Sequence, residues 1–168
     1  MVDMTDAGFD AGIRYGGTVP EDMIAQRLSA DVRWVVAGSP EYLDRFGTPE
    51  HPNDLLQHRC ISNRLGDDRV YRWEFEHDGE ELQVTVPTSI TVDQAETGLV
   101  AVLRGGGLMY FPEPLVAPYV SDGRLRLVLV DWASRGDGFH IYYSSRRQVP
   151  TGLRLLIDLV RELRPIGL

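Results

Sequence analysis

With 168 residues, 43% of them hydrophobic, the chain is long enough to bury a substantial core, as one domain or as two small lobes sharing a hinge. A formal charge of −8 argues against its gripping a nucleic-acid backbone by itself, a task that needs clustered positive charge. All 17 basic residues are arginine, which excludes Schiff-base, pyridoxal-phosphate and Walker-type lysines; the bias reads as a codon preference.

The N-terminal segment FDAGIRYGG (9–17) predicts a short buried strand closed by a glycine turn, and MIAQRLSADVRWVVAGS (23–39) a longer strand with Arg33 at a polar alternation. In GSPEYLDRFG (38–47), Ser39 is placed to N-cap a short helix, with Pro40 at its first position, Glu41 in its first turn and Gly47 as its stop. A proline-rich entry, a brief helix around NDLLQH and a strand at RCIS follow. Tyr71, Trp73 and Phe75 alternate with polar residues, Asp78-Gly79 supplies a turn, and Leu82, Val84 and Val86 resume the alternation, which predicts a β-hairpin over 71–86. Then come a strand SITV, a helix from about 93 to 104, a strand LMYFP, a helix PLVAPYVSDG and a strand LRLVLVDW (125–132). After the loop ASRGDG, a strand FHIYYSS leads into an amphipathic helix over 151–165. Strands alternating with helices predict an α/β fold with a largely parallel sheet.

The glycines at 105–107 follow a helix and precede a strand, the reverse of a phosphate-binding loop, and read as a helix stop with a tight turn. The other end of that helix is more informative. A helix starting near Asp93 directly after a strand presents free amides at the carboxyl edge of the sheet, where ligands bind in open α/β folds. Thr91, Asp93 and Gln94 could hydrogen-bond there, or Asp93 could simply cap its own helix. His51, His58 and Cys60 lack the spacing of a metal site, so no metal or other cofactor is expected. Ser144 and Ser145 lack a nucleophile elbow, and no catalytic constellation emerges. Cys60 is the lone cysteine, nothing at the N-terminus resembles a charged n-region followed by an apolar h-region, and no apolar run approaches the roughly 20 residues of a bilayer span; the expectation is a cytoplasmic protein without membrane contact.

Taken together, FDAGIRYGG, RWVVAGSPEYLDRFGTPEHPNDLLQHRCIS, WEF, SITVDQAETGLVAVLRGGGLMYFPEPLVAPYVSDGRLRLVLVDW and IYYSSRRQVPTGLRLLIDLV resemble, in order and spacing, the effector-binding domain of LysR-type transcriptional regulators over about 8–164. The resemblance implies two Rossmann-like subdomains joined by a two-strand hinge, as in periplasmic binding proteins of type 2. The first would hold 1–30 and 130–168, the second 31–129, and a small-molecule effector would lie in the cleft. It also implies a homo-oligomer, or pairing with full-length family members, and DNA contact only through a winged helix-turn-helix that this sequence does not contain. The family's opening strand, first helix and second strand are likewise not in it, so the first subdomain is expected to be incomplete, with an open ladder edge compensated by swapping, oligomerisation or marginal stability. Carried over by position, the effector site comprises Arg14, Gly16, Gly17, Ser62, Asn63, Arg64, Thr91, Asp93, Gln94, Phe111 and Pro112, with Glu113 beside them. Val92 stands where the family often has asparagine. Arg14 and Arg64 could hold a carboxylate effector bidentately or form ordinary ion pairs. The expected function is effector sensing on behalf of a transcriptional regulator. The alternatives are a remnant that modulates full-length regulators by pairing with them, and an α/β enzyme such as a hydrolase.

Overall fold

The computed structural model describes residues 8–15, 19, 22–64, 70–144 and 149–164. Among these the elements are β1 (Gly12–Tyr15), β2 (Met23–Arg27), β3 (Val32–Gly38), α1 (Pro40–Phe46), β4 (Cys60–Asn63), β5 (Trp73–His77), β6 (Glu80–Val84) and β7 (Thr88–Val92). They continue with α2 (Ala95–Leu103), β8 (Leu108–Pro112), α3 (Glu113–Ser121), β9 (Arg126–Val128), β10 (Arg135–Gly136), β11 (Phe139–Ser144) and α4 (Thr151–Leu163); 3₁₀ turns occupy Pro52–Gln57 and Val130–Trp132. The chain divides into two compact units, Met1–Val32 with Gly136–Leu168, and Arg33–Arg135.

The second unit is built on a sheet ordered β10-β3-β8-β4-β7, with β9 also pairing with β3. β4 runs parallel to both β7 and β8, whereas β3 is antiparallel to β8 and β9. The sheet is therefore mixed and not largely parallel. Parallel pairing is confined to β4, β7 and β8, and the connection from α3 brings β9 back against β3 in the opposite sense. Period-two alternation sends Val36, Cys60, Leu108 and Tyr110 to one face, where the β5–β6 hairpin and α1 cover them with Trp73, Phe75, Tyr42 and Leu43. Val35, Ala37, Ile61, Met109 and Phe111 point to the other, under Leu99 and Val102 of α2 and Val116 of α3. One sheet thus serves two cores, and each fully buried large side chain contributes about 1.5–3 kcal/mol of burial energy.

Local chemistry fixes these elements. Ser39 accepts the Tyr42 amide, Pro40 occupies the first turn of α1 and Gly47 ends it at φ 90°. The first 3₁₀ turn is capped by His51, whose ring nitrogen accepts the Asn53 amide while Asp54 accepts the His51 amide. The hairpin turns at Asp78 and Gly79, both at positive φ, as a two-residue turn matched to strand twist requires. The three glycines do stop α2: the Gly106 amide reaches the Ala101 carbonyl, and Gly107, at φ 149°, lies so close to β4 that an added Cβ would sit 2.3 Å from the Arg59 carbonyl oxygen. The strand expected over 125–132 is shorter than the sequence pattern suggested. β9 ends at Val128, because Leu129 takes a left-handed conformation (φ 54°) that turns the chain into the second 3₁₀ turn.

The first unit has an antiparallel sheet ordered β1-β11-β2, with α4 packed through Leu153 and Ile157 onto Leu28, Ile141 and Tyr143. The single strand expected over 23–39 is two strands, since Leu28–Asp31 break the ladder and the Ser29 hydroxyl instead accepts the Phe139 amide. β1 is an edge strand and is not buried: Ile13 is 57% exposed.

Candidate ligand site

Three parallel strands end together. β4 finishes at Asn63, β7 at Val92 and β8 at Pro112, and α2 and α3 begin just past the last two. Their first-turn amides, uncapped by any side chain, place partial positive charge at the carboxyl edge of this part of the sheet.

Arg64 extends β4 by giving its amide to the Val92 carbonyl, and its guanidinium forks onto the Asp93 carboxylate at 2.8 and 3.0 Å. The hydrogen bonds from Arg64 hold the Asp93 carboxyl below the usual carboxylate range. Asp93 therefore does not cap α2, as the sequence allowed. The capping position falls on Gln94, whose side chain makes no cap bond, and Asp93 lies one residue further out, committed to Arg64. Beside this pair the Asn63 side-chain oxygen is buried without a hydrogen-bond partner among the described residues, although the Asn63 backbone carbonyl accepts the Tyr71 amide. An unpaired buried acceptor is costly and suits a donor from a bound molecule. At the neighbouring strand end, Glu113 holds Arg33 at 2.9 Å while a second nitrogen of Arg33 reaches the Val130 carbonyl.

Asn63, Arg64, Asp93 and Gln94 therefore converge, with Pro112 and Glu113 at the next strand end. Thr91 is exposed and registers with Ser62. The Ser62 hydroxyl is buried and shared with Thr88 at 2.8 Å, so it is spent inside the fold. Phe111 is fully buried among the residues under α2 and α3, leaving only its backbone near the edge; Val92 joins the same core. Arg14 lies on β1 of the first unit, with its guanidinium over the Tyr142 ring at 5.1 Å. Gly16 and Gly17 lie outside the described residues. The Arg33–Glu113 link was missed, although Arg33 breaks an otherwise apolar strand and so carried a signal.

Elsewhere the reactive groups are quiet. Burial pushes the Cys60 thiol up to about 12, so it carries no thiolate at neutral pH. Among the described residues no three of His, Cys, Asp and Glu gather as a metal site, and no helix is long and apolar enough to cross a membrane.

In open α/β sheets, such an edge of strand tips and helix starts is where ligands commonly bind. The model of the LysR substrate binding domain family matches residues 1–165, and the chain belongs to that family. It is 38% identical over 161 residues to the uncharacterized HTH-type transcriptional regulator YcaN of Escherichia coli, covering 96% of this chain and 52% of that protein. To the HTH-type transcriptional regulator PgrR of the same species it is 30% identical over 162 residues, covering 96% and 54%. The chain thus spans about half the length of these curated relatives. Among solved structures, the regulatory domain of CrgA, a LysR-type transcriptional regulator from Neisseria meningitidis, matches with a TM-score of 0.80 at 25% identity, over 97% of this chain and 78% of that one. The fold is the periplasmic-binding-protein-like α/β fold of LysR regulatory domains, and the chain is a LysR substrate-binding domain.

Proposed function

We propose that this domain senses a small molecule on behalf of a cytoplasmic, homo-oligomeric transcriptional regulator, and that it binds its effector without transforming it. DNA contact would be made by parts of the regulator outside this sequence, since the chain carries a charge of −8. The observation that carries the reading is the convergence of Asn63, Arg64 and Asp93 where the parallel strands end and α2 starts. Supporting it, the matched family is one of effector-binding domains. The division into ligand-gripping subdomains over 1–30 with 130–168, and 31–129, belongs to the same proposal, as do contributions from Arg14, Gly16, Gly17, Thr91, Gln94 and Pro112.

A small carboxylate suits the edge. It would compete with Asp93 for the Arg64 fork and gain from the uncapped amides of α2, while a hydroxyl or amine on the ligand would satisfy Asn63. A thermal-shift panel of small aromatic and aliphatic acids and their neutral amides tests this. At least one acid is expected to raise the melting temperature in the parent and not in Arg64→Ala. A panel without response, or a response that survives both Arg64→Ala and Asn63→Ala, would refute the site.

A further inference from the structure

Next to the polar groups of the candidate site lies an aromatic surface that the proposed function does not use. Trp34 sits opposite Pro112 in the β3–β8 ladder, and the Tyr71 amide donates to the Asn63 carbonyl, so both residues are anchored where β8 and β4 end. Their rings stack on each other with centroids 6.2 Å apart and planes 25° apart. Tyr110, only 3% exposed, is their common neighbour: Trp34, Tyr71 and Trp73 lie nearly parallel to it, at interplanar angles of 12°, 21° and 19°. The four rings thus present a flat, ordered stack at the strand ends.

The stack is held by its polar ends. The Tyr110 hydroxyl donates to the Glu74 carbonyl and shares a hydrogen bond with the Ser134 hydroxyl, the Tyr71 hydroxyl donates to the Glu74 carboxylate at 2.9 Å, and the Trp34 amide donates to the Ser134 carbonyl. Rings fixed in this way lose little freedom when a ligand settles on them. They are also not all needed to close the core. Trp73 and Phe75 are buried and cover that side of the sheet, whereas Trp34 and Tyr71 stay half-buried at a polar strand end. Small-molecule sites combine a few placed polar groups with an apolar, often aromatic, lining. Asn63 and Arg64 supply the polar groups, and Trp34 and Tyr71 are the large apolar side chains anchored beside them.

We infer that Trp34 and Tyr71 form the wall against which the ring of the effector lies, so that the domain selects planar aromatic carboxylates over saturated acids of the same size. The inference rests on the ligand-site reading above: Arg64 and Asn63 hold the carboxylate and its neighbouring polar group, and the two rings decide what carries them. A flat π-system stacks face to face or offset on such a wall, whereas a puckered saturated ring buries a similar area without that geometry. Any aromatic residue at position 34 preserves the wall; an aliphatic one removes it.

Calorimetric titration of the full chain with benzoate, salicylate and 2-naphthoate, each beside its saturated-ring counterpart, is the test. At least one aromatic acid is expected to bind about three- to ten-fold more tightly than its counterpart. Trp34→Leu should bring that ratio close to one and Trp34→Phe should retain it, while the saturated acid binds all three proteins alike. Circular dichroism checks folding; should Trp34→Leu unfold the chain, Tyr71→Leu is read in its place. Acids that bind through Arg64 but without preference for the aromatic member, or a preference that persists in Trp34→Leu, would overturn the inference and leave the ligand site standing. A panel in which no acid binds, or binding that survives both Arg64→Ala and Asn63→Ala, would remove the ligand site itself and the inference with it.

Discussion

Replacing Gly107 by alanine tests whether the glycine triplet is a structural hinge-point of the site's sheet. Gly107 sits at φ 149°, and its missing Cβ would lie 2.3 Å from the Arg59 carbonyl oxygen and 2.9 Å from the carbonyl carbon. Both obstacles are backbone, so no side-chain rotation relieves them. The same carbonyl accepts the Leu108 amide at 2.9 Å, the bond that docks β8 onto β4. Holding alanine in a backbone region reserved for glycine costs about 1–3 kcal/mol, and loss of that hydrogen bond adds about 1 kcal/mol. The expected destabilisation is about 2–4 kcal/mol, equivalent to roughly 5–15 °C in melting temperature for a chain of this size. Urea unfolding followed by tryptophan fluorescence measures it, because Trp73 and Trp34 stack near Tyr110 of β8. Gly105→Asn is the control: φ there is 75°, which asparagine tolerates, and the nearest atom to an added Cβ is the Ser39 hydroxyl at 3.8 Å, so it should cost little. If Gly107→Ala unfolds within about 0.5 kcal/mol of the parent, a surface-like effect, the close-approach argument fails.

The remaining predictions follow from single groups. Asp93 is held low by Arg64, so in Arg64→Ala its carboxyl should titrate closer to the ordinary value of about 3.9; carboxyl NMR reads this directly. With its folded pKa depressed, the Asp93 contribution to stability is present above the unfolded value and is lost as pH falls through the folded one. Asp93→Asn should therefore flatten the acid limb of the stability profile below about pH 4, and an unchanged slope there would refute the pairing. Tyr110→Phe removes the hydroxyl that donates to the Glu74 carbonyl at 2.7 Å and bonds Ser134 at 2.6 Å, and should cost about 1–3 kcal/mol in chemical denaturation. Cys60 should resist a disulfide reagent at neutral pH in the folded chain and react at once in denaturant; fast reaction of the native chain would contradict its burial.

Features set by neighbouring residues were legible in the sequence. The Ser39–Pro40–Gly47 punctuation of α1, the Asp78-Gly79 hairpin and the glycine stop of α2 each depend on a few adjacent positions, and each is present as read. What long-range pairing decides was not legible. Strand directions around β3 depend on β8 and β9, which lie more than seventy positions away in the chain. The break at Leu28–Asp31 carried a signal in Ser29 and Asp31, but the Ser29 hydroxyl's hold on the Phe139 amide, 110 residues away, could not be read from them. The candidate site divides the same way: its place at the start of α2 could be read, but Asp93 turned from cap to ion partner because Arg64, 29 residues earlier, lies beside it. Ser62 and Phe111 stand at the expected strand ends yet point inward, a difference of one step in the strand alternation.

The sheet of the second unit shields two hydrocarbon interiors that share strands but no side chains. The hairpin side can therefore drift, swapping one aromatic for another around Trp73 and Tyr110, without tilting the helices whose first turns lie at the strand ends. Mutational tolerance should be lopsided: permissive beneath the hairpin and strict beneath α2 and α3, so that descendants of this sequence change in robustness sooner than they change the geometry of the proposed site.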